Sequence, residues 1–409
     1  MSATSRKTMI FATFLALPIS GARAAWTETV LHSFDGASGA GPSGSLIFDE
    51  AGNLYGTTRT GGASGVGVIF ALSPPIGGET SWTETILHSF SGLDGAGSTA
   101  RLTFDQTGNL YGTTLNGGPA HNGVAFELSP PSAGGSPWTE SVIHSFHQRA
   151  LGPQAGVIFD SSGNLYGTTL YGGISDVGAV FELSPPAIGE NVWTKRNITS
   201  FDGANGSAPF ANLIFDAEGN LYGTTNTGGA SNVGSVFELS PPIGGGSTWT
   251  ETILFSFGGV SGAGPTASLV FDAAGNLYGT AGSGGKFNKG TVFKLSPPGA
   301  GKSSWVETVL HSFKGADGDD PFGGLIFDGA GNLYGTTVYG GSSSEGAVFE
   351  LSPPAAGKTA WTEKVLHSFD GVDGSNPYCS VIFDAAGNLY GNTYSGGQSN
   401  SGTIFELTP

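Results

Sequence analysis

The stretch LIFDEAGNLYGTT, residues 46–58, decides the fold, because it recurs with few changes six more times along the 409-residue chain. Its first residues form an apolar run that ends at Asp49. The pattern Asp-x-x-Gly-Asn then predicts a tight turn, since an Asp side chain accepts hydrogen bonds from nearby backbone amides and Gly52 can take a positive φ. A second apolar run, residues 53–58, follows, so the stretch predicts a β-hairpin.

Tryptophan gives the period of the repeat. The seven tryptophans lie about 56 residues apart, and the triplet Leu-Tyr-Gly recurs in step with them. Each unit contains four short runs rich in β-branched and aromatic residues, bounded by Gly and Pro, and nothing in the unit has a helical period. In the first unit these runs cover residues 26–34, 45–49, 53–58 and 67–73. The tryptophans are Trp26, Trp82, Trp138, Trp193, Trp249, Trp305 and Trp361.

Seven units of four strands predict an all-β fold, a seven-bladed β-propeller of four-stranded blades. Residues 45–49 are the expected innermost strand, and the Trp run is the expected outermost one. The chain begins with a Trp run and ends with the run 402–407. We therefore expect the N-terminal strand, residues 26–34, to complete the last blade and remove an exposed sheet edge. The single domain is predicted to span residues 25–409.

The N-terminal segment, residues 1–24, has the features of a secretory signal peptide. Arg6 and Lys7 precede a short apolar stretch, and Ala22-Arg23-Ala24 fits the small-x-small cleavage rule. We expect cleavage near Ala24 and secretion to the periplasm or the extracellular space. That apolar stretch is too short to span a bilayer, and we predict no membrane span in the mature chain.

Composition narrows the classes of partner and chemistry. The net charge of −17 and the scattered basic residues argue against nucleic-acid binding. The sequence contains no Ser-His-Asp order, GxSxG elbow, HExxH or CxxC motif. Its one cysteine, Cys379, excludes an intrachain disulfide and is interpreted as a small core residue. We expect a monomer.

The repeat resembles two known repeats. The order Leu-Tyr, Gly-Gly, Val-x-Phe and Trp is similar to the kelch repeat, a propeller unit. The fuller pattern LIFDxxGNLYGTTxxGG…GxVFELSPP…W, in all seven units, resembles the Gly-rich GloVer tandem repeat of exported bacterial proteins that carry various surface anchors. The resemblance implies the fold and implies no particular activity. Because the chain ends without the C-terminal anchor of many relatives, we expect a free protein.

Some residues that look catalytic by type recur with the repeat, so we interpret them as scaffold. Five histidines share one position, which Thr199 and Phe255 fill in the other two units. A glutamate recurs in the Phe-Glu-Leu run, where Ala71 and Lys294 are the exceptions. The recurring residues are His32, His88, His144, His311 and His367, and Glu127, Glu182, Glu238, Glu350 and Glu406.

Residues that break the repeat are the candidates for a site. Propeller sites lie on the face formed by the loops before the innermost strands and the loops between the second and third strands, here 35–44, 59–66 and their equivalents. Aromatic and Arg side chains on one face can stack on sugar rings or hold carboxylates. Tyr171, Tyr339 and Tyr394 are assigned to one equivalent loop position, and ordinary loop variation is the alternative. The candidate ligand-binding residues are Arg59, His121, His147, Arg149, Tyr171, Tyr339 and Tyr394.

The sixth-unit loop KGADGDDP, residues 314–321, has acidic residues separated by Gly. Asp317, Asp319 and Asp320 could converge on Ca²⁺, which prefers carboxylate oxygens. A solvated turn that uses Asp and Gly for their backbone behaviour is the alternative. Calcium is the only cofactor that the sequence suggests.

Near-perfect repetition favours an exported, non-catalytic binding propeller that recognises a glycan or a cell-envelope component, with several similar sites providing avidity. The second hypothesis is a polysaccharide-active enzyme, a hydrolase or lyase, with a site on the variable-loop face. It would use His121, His147, Arg149 or the acidic loops. The third is a purely structural surface protein.

Overall fold

The computed structural model describes residues 25–131, 137–147, 150–187, 189–190, 192–242, 244 and 246–409. Every regular element in these residues is a β-strand. Seven antiparallel sheets are arranged as the blades of a ring, which confirms the predicted seven-bladed β-propeller, and a separate two-stranded sheet lies in loops. The predicted signal peptide, residues 1–24, lies outside the described residues. The described residues form no helix that could cross a membrane.

Each blade contains an inner, a second, a third and an outer strand. The inner strands are Ile47–Phe48, Thr103–Phe104, Ile158–Phe159, Ile214–Phe215, Val270–Phe271, Ile326–Phe327 and Ile382–Phe383. The second strands are Leu54–Thr60, Leu110–Thr114, Leu165–Thr169, Leu221–Thr225, Leu277–Ala281, Leu333–Thr337 and Leu389–Thr393. The third strands are Val68–Ser73, Val124–Ser129, Ala179–Ser184, Ser235–Ser240, Thr291–Ser296, Ala347–Ser352 and Thr403–Thr408. The outer strands are Thr27–Ser33, Thr83–Ser89, Thr139–Ser145, Thr194–Ser200, Thr250–Ser256, Val306–Ser312 and Thr362–Ser368. Short additional strands, Ala40–Pro42, Ala150–Leu151 and Tyr171–Gly172, lie in loops.

The N-terminal strand closes the ring. Thr27–Ser33 pairs antiparallel with Thr403–Thr408, with Thr27 opposite Thr408 and Ser33 opposite Thr403. The seventh blade therefore takes its outer strand from the N-terminus and its other three strands from the C-terminus. This confirms the predicted closure, which leaves no blade with an unpaired third strand.

A hydrogen-bonded turn explains the most constant residues of the repeat. In the first blade the Asp49 carboxylate accepts hydrogen bonds from the Ala51 and Asn53 amides, both at 2.9 Å, and from the Tyr55 hydroxyl at 3.0 Å. Gly52 has a φ of 85°, which an L-residue rarely adopts. Burial opposes ionisation of Asp49, but these hydrogen bonds lower the pKa of its carboxyl below the usual value. Asp, Gly, Asn and Tyr therefore recur together.

The apolar core lies between blades. The buried side chains form seven clusters, and each cluster combines residues of two adjacent blades. The repeated Trp packs edge-on against the repeated Tyr of the preceding blade, as in Trp138 against Tyr55 with 6.3 Å between ring centroids. The repeated Gly leaves room for a Phe ring, because a Cβ on Gly56 would lie 2.7 Å from the Phe70 ring. The period of the sequence thus reflects contact between neighbouring blades.

Hydrogen bonds around the axis link each blade to the next. The second-strand Thr57 hydroxyl donates to the Ala100 carbonyl of the next blade at 3.3 Å. At the closure, the Asn392 side-chain amide donates to the Gly44 carbonyl at 2.8 Å, although these residues are far apart in sequence. These bonds fix the backbone just before each inner strand, which lines the axis. The equivalent pairs are Thr113 with Ala155, Thr224 with Ala267, Thr280 with Gly323, and Thr336 with Cys379, whereas Thr168 donates to the Pro209 carbonyl, two residues earlier in its loop.

Candidate functional site

Two sets of loops meet on one face of the ring. We call the loops before the inner strands axial loops (residues 35–46 and equivalents). The loops between the second and third strands are lateral loops (residues 61–67 and equivalents). They are hydrogen-bonded to each other, as where the Gly62 amide donates to the Ala37 carbonyl at 3.0 Å and the Gly118 amide to the Gly92 carbonyl at 2.9 Å. The variable loops singled out in the sequence therefore share one face.

The centre of this face opens into a cavity of about 290 Å³, which we call the axial mouth. Residues of all seven blades line it. The rim residue of each blade lies four positions before the inner strand, and the neck residue lies two positions before it. The rim residues are Ser43, Thr99, Gln154, Phe210, Thr266, Phe322 and Tyr378. The neck residues are Ser45, Arg101, Gly156, Asn212, Ser268, Gly324 and Ser380.

Four aromatic side chains form a continuous arc along one side of the mouth. Their rings meet edge to face in succession, with centroid distances of 6.4 Å from Phe210 to Phe322, 5.2 Å from Phe322 to Tyr378 and 5.6 Å from Tyr378 to Tyr394. We call this set the aromatic arc. Each of these side chains is partly accessible to solvent. The arc therefore presents apolar ring surface to whatever enters the mouth.

The neck below the rim is polar. The Ser380 amide donates to the Ser45 hydroxyl at 3.1 Å, and the Gly324 amide donates to the Ser380 hydroxyl at 2.8 Å. The Asn212 side chain accepts a hydrogen bond from the Gly156 amide. Among these seven positions Arg101 is the one charged residue.

Arg59 and Arg101 are the charged side chains of the mouth lining. Neither forms an ion pair with an acidic residue in the part of the chain that the structure describes. Desolvation by the surrounding protein lowers the pKa of the Arg101 guanidinium, which stays ionised because an Arg is not deprotonated in proteins. The channel keeps Arg101 accessible. Because Arg101 is ionised, accessible and not paired with an acidic residue of the described chain, it can bind an anionic ligand.

Tyr394 does not share a position with Tyr171 and Tyr339, and this part of the sequence prediction is wrong. Asp319 pairs with Tyr339 and Ser375 pairs with Ser395, so Tyr394 lies one residue earlier and is equivalent to Arg59. Successive side chains of a strand point to opposite sides. Tyr394 therefore reaches the mouth, whereas Tyr171 and Tyr339 lie outside its lining and are 55% and 45% exposed.

A groove lined by Tyr339, Asp319 and Asp320 adjoins the mouth, with which it shares Phe322 and Thr266. Burial, a hydrogen bond with Tyr339 and the charge of Asp320 raise the pKa of the rim residue Tyr378 to about 12. The Tyr378 hydroxyl is therefore protonated at neutral pH and can donate a hydrogen bond.

His121 and His147, two other predicted ligand-binding residues, are not in the lining of the mouth. His121 is exposed and has a φ of 58° at a lateral-loop turn, where other units place Asp176 and Asn232 with similar angles. Among residues other than Gly, His, Asp and Asn are the ones most often found at turn positions with a positive φ. His147 is exposed, and its Nδ1 lies 3.0 Å from the Ser145 carbonyl oxygen. Arg149 lies outside the described residues.

The three calcium candidates have separate partners. Asp317 is buried and hydrogen-bonds with His311 Nε2 at 3.1 Å, and Asp319 forms an ion pair with Lys289. Burial, and then the charge of Asp319, raise the pKa of Asp320 to about 6. Calcium binding therefore stays a prediction, which a comparison of melting midpoints with and without EDTA tests, because a ligand bound by the folded state raises stability.

A sequence model of the Gloeobacter/Verrucomicrobia repeat family matches residues 19–150, 132–307 and 302–409. The chain belongs to this family. The resemblance to the GloVer repeat is thereby confirmed. A search of curated proteins finds no match. Among solved structures, the chain is similar to a protein of unknown function from Dyadobacter fermentans DSM 18053, with 12% identity and a TM-score of 0.43 over 93% of this chain and 98% of that one.

Histidines of the Gloeobacter/Verrucomicrobia repeat contribute to the junctions between blades. His32 packs edge-on against Phe34, with 4.7 Å between centroids, and its equivalents make the same contact. At three junctions a His, an Asp of the axial loop and a Glu of the next outer strand have ligand atoms within 4.8 Å of one another, so these groups could hold a metal ion. They lie at the outer strands, far from the mouth. The groups are His88, Asp94 and Glu140; His311, Asp317 and Glu363; and His367, Asp373 and Glu28.

Four mouth residues, Arg101, Phe210, Phe322 and Tyr378, were not among the residues that the sequence predicted. The information to find them was present, because the rim and neck positions vary among repeats that are otherwise nearly identical. These positions lie directly before the inner strands, next to the most constant part of the repeat. Comparison of the seven units column by column, rather than loop by loop, would have identified them.

Proposed function

We propose that this Gloeobacter/Verrucomicrobia repeat protein is an exported, non-catalytic binding propeller whose axial mouth holds one end of a glycan. One observation carries the proposal: the repeat changes most in chemistry where the seven blades converge. The fold does not require a particular residue type at the rim, since small, amide and aromatic side chains all occur there. Three of the seven rim residues are nevertheless aromatic, and they lie together in one arc. A purely structural ring has no need of this difference.

The aromatic arc fits sugar rings. Aromatic faces pack against the apolar faces of cyclic ligands, while hydroxyl and amide groups fix the orientation of the ligand. The mouth offers both, since Gln154, Asn212 and Ser380 lie in the same lining as the arc. Its volume of about 290 Å³ is at the small end of ligand sites, so it suits a terminal residue rather than a long segment of polysaccharide.

The lining of the mouth favours binding over hydrolysis. Most glycoside hydrolases use two carboxylates that flank the scissile bond. The mouth lining contains no Asp or Glu among the described residues. The nearby Asp319 is already paired with Lys289, and Asp320 lies in the adjoining groove. Release of reducing ends from a polysaccharide panel would favour the enzyme hypothesis instead.

A glycan array probed with the mature chain, followed by titration of the hits, tests the proposal. Phe322→Thr and Tyr378→Thr should each weaken binding by roughly two- to tenfold, since aromatic contacts are worth roughly 0.5–1.5 kcal/mol each beyond the area they bury. Both variants should fold, because Thr already occupies the equivalent positions 99 and 266.

The matched control is Tyr171→Thr, which removes an exposed tyrosine of the same face but outside the mouth. Thr60 and Thr227 are its equivalents in other blades. Binding by the control should equal that of the wild type. An array without hits, or equal loss of binding in all three variants, would contradict a glycan site at the mouth.

A further inference from the structure

The charges of the mouth indicate the class of glycan, an inference that rests on the proposed function. We infer that the ligand is an acidic saccharide, whose anionic group binds Arg101 in the neck and Arg59 at the rim while its ring lies against the aromatic arc. Carboxylate is the anion that best matches the planar guanidinium, which can donate two parallel hydrogen bonds to it.

The local charge of the mouth is opposite to that of the whole chain. The chain has a net charge of −17, and the mouth lining has two Arg and no acidic residue among the described residues. At long range the protein repels anions, and long-range steering falls off within a Debye length of about 8 Å at physiological salt. Only close contact with the two arginines can therefore favour an anionic ligand, which points to specific recognition rather than to general attraction.

The fold does not require an arginine at position 101. The six equivalent neck residues are Ser, Gly or Asn, and the ring closes around each of them. The neck hydrogen bonds from Ser380 to Ser45 and from Gly156 to Asn212 do not involve the Arg101 side chain. The Arg101 side chain is accessible from the channel and has no acidic partner among the described residues, so it is available to a bound anion. Its presence is explained by a ligand.

The two halves of the mouth have different chemistry. Arg59 and Arg101 come from the first and second blades, whereas the aromatic arc comes from the fourth, sixth and seventh blades. An anionic group and a sugar ring of one residue can thus contact different parts of the lining of the same cavity. A uronic acid, which carries its carboxylate directly on the sugar ring, has this shape.

Titration with matched oligosaccharides tests the inference. The probes are trigalacturonate, the neutral galactose trisaccharide of the same linkage and its sulfated form. Trigalacturonate should bind the wild-type protein at least about tenfold more tightly than the neutral trisaccharide, because hydrogen bonds to charged groups exceed neutral ones. Its affinity should fall with added NaCl, whereas that of the neutral probe should not. Comparison with the sulfated probe shows whether carboxylate or any anion is recognised.

Arg101→Ser, which copies the neck residue of three other blades, should remove the preference for the acidic probe and keep the affinity for the neutral one. Its melting midpoint should equal that of the wild type, because Ser already occupies this position in three blades. Arg101→Lys should keep part of the preference. Equal affinity of the wild type for the acidic and neutral probes would overturn the inference and leave glycan binding intact. The inference would also be overturned if the protein bound none of the three probes while neutral glycans bound on the array. An array on which no glycan binds would contradict the proposed function itself.

Discussion

At the scale of single residues, we expect half-buried glutamates at the blade junctions to make the stability of the ring depend on pH. The Trp-x-Glu pattern at the start of the outer strand places a Glu against the preceding blade, and one oxygen of six of these carboxyls is buried without a hydrogen-bond partner among the described residues. Burial raises the pKa of four of them to about 7. They are Glu28, Glu140, Glu307 and Glu363.

Glu307 gives the clearest prediction, because burial is the one cause of its raised pKa. Phe255 and Ser261 stand where other junctions have His and Asp. A carboxyl with a raised folded-state pKa contributes stability in its protonated form, and this contribution is lost as pH rises from about 4.5 through about 7. Glu307→Gln mimics the protonated form. We expect it to stabilise the protein at pH 8 by about 1 kcal/mol, a value reduced for partial solvent access, and to have no effect at pH 5.

Thermal melting at both pH values measures this difference. The control is Glu218→Gln, which changes an exposed carboxylate and should shift the midpoint equally at pH 5 and pH 8. A lower midpoint for Glu307→Gln at pH 8 would show that the ionised carboxylate has a stabilising partner.

The residues whose roles could be predicted from the sequence are those that recur in every repeat. Asp49, Gly52 and Asn53 were predicted as a turn because each has a local role in the backbone. The contacts of His88 with Asp94 and of His311 with Asp317 also lie within one unit, six residues apart. They were missed because the recurring histidines were interpreted as scaffold and Asp317 was considered as a calcium candidate or part of a solvated turn. A pairing between side chains depends on the path of the backbone, which the spacing of residues alone does not give.

At the scale of strands, the closure between Thr27–Ser33 and Thr403–Thr408 is the contact on which the ring depends. Trp26 packs edge-on against Tyr334, and Phe34 is fully buried against the first and seventh blades. The phase of the repeat predicted this pairing from sequence. The lengths of the inner strands were not predicted, since a five-residue strand such as 45–49 was expected and two residues are paired in each blade.

Deletion of residues 25–34 should therefore destabilise the whole protein. Loss of a buried Trp or Phe side chain costs roughly 3–5 kcal/mol, and the deletion removes one of each together with a strand. The exposed edge of Thr403–Thr408 should also promote aggregation. Thermal melting and light scattering measure the two effects.

Relocation of the strand is the control. A chain that carries a copy of residues 75–81 and then residues 26–34 after Pro409 repeats the connection found in the other blades, because Pro409 is equivalent to Pro74. It should recover the wild-type melting midpoint and remain monodisperse. If the deletion alone melts like the wild type, the N-terminal strand does not close the ring.

At the scale of the whole molecule, repetition and its exceptions have separate roles. The seven junction clusters and the hydrogen bonds around the axis require the same residues in each blade, so the sequence predicts them by recurrence. The mouth requires different residues in each blade, because seven equivalent positions surround one cavity. Its aromatic arc and two arginines come from five blades, and only the closed ring brings them together.

The most direct measurement is calorimetric titration of trigalacturonate into the wild-type protein and into a variant whose mouth follows the other blades. The variant combines Arg101→Ser, Phe210→Thr, Phe322→Thr and Tyr378→Thr, each a residue that the ring already accepts at an equivalent position. We expect the wild type to bind and the variant to fold with a similar melting midpoint without binding. Wild-type affinity in the folded variant would show that the ligand does not occupy the axial mouth.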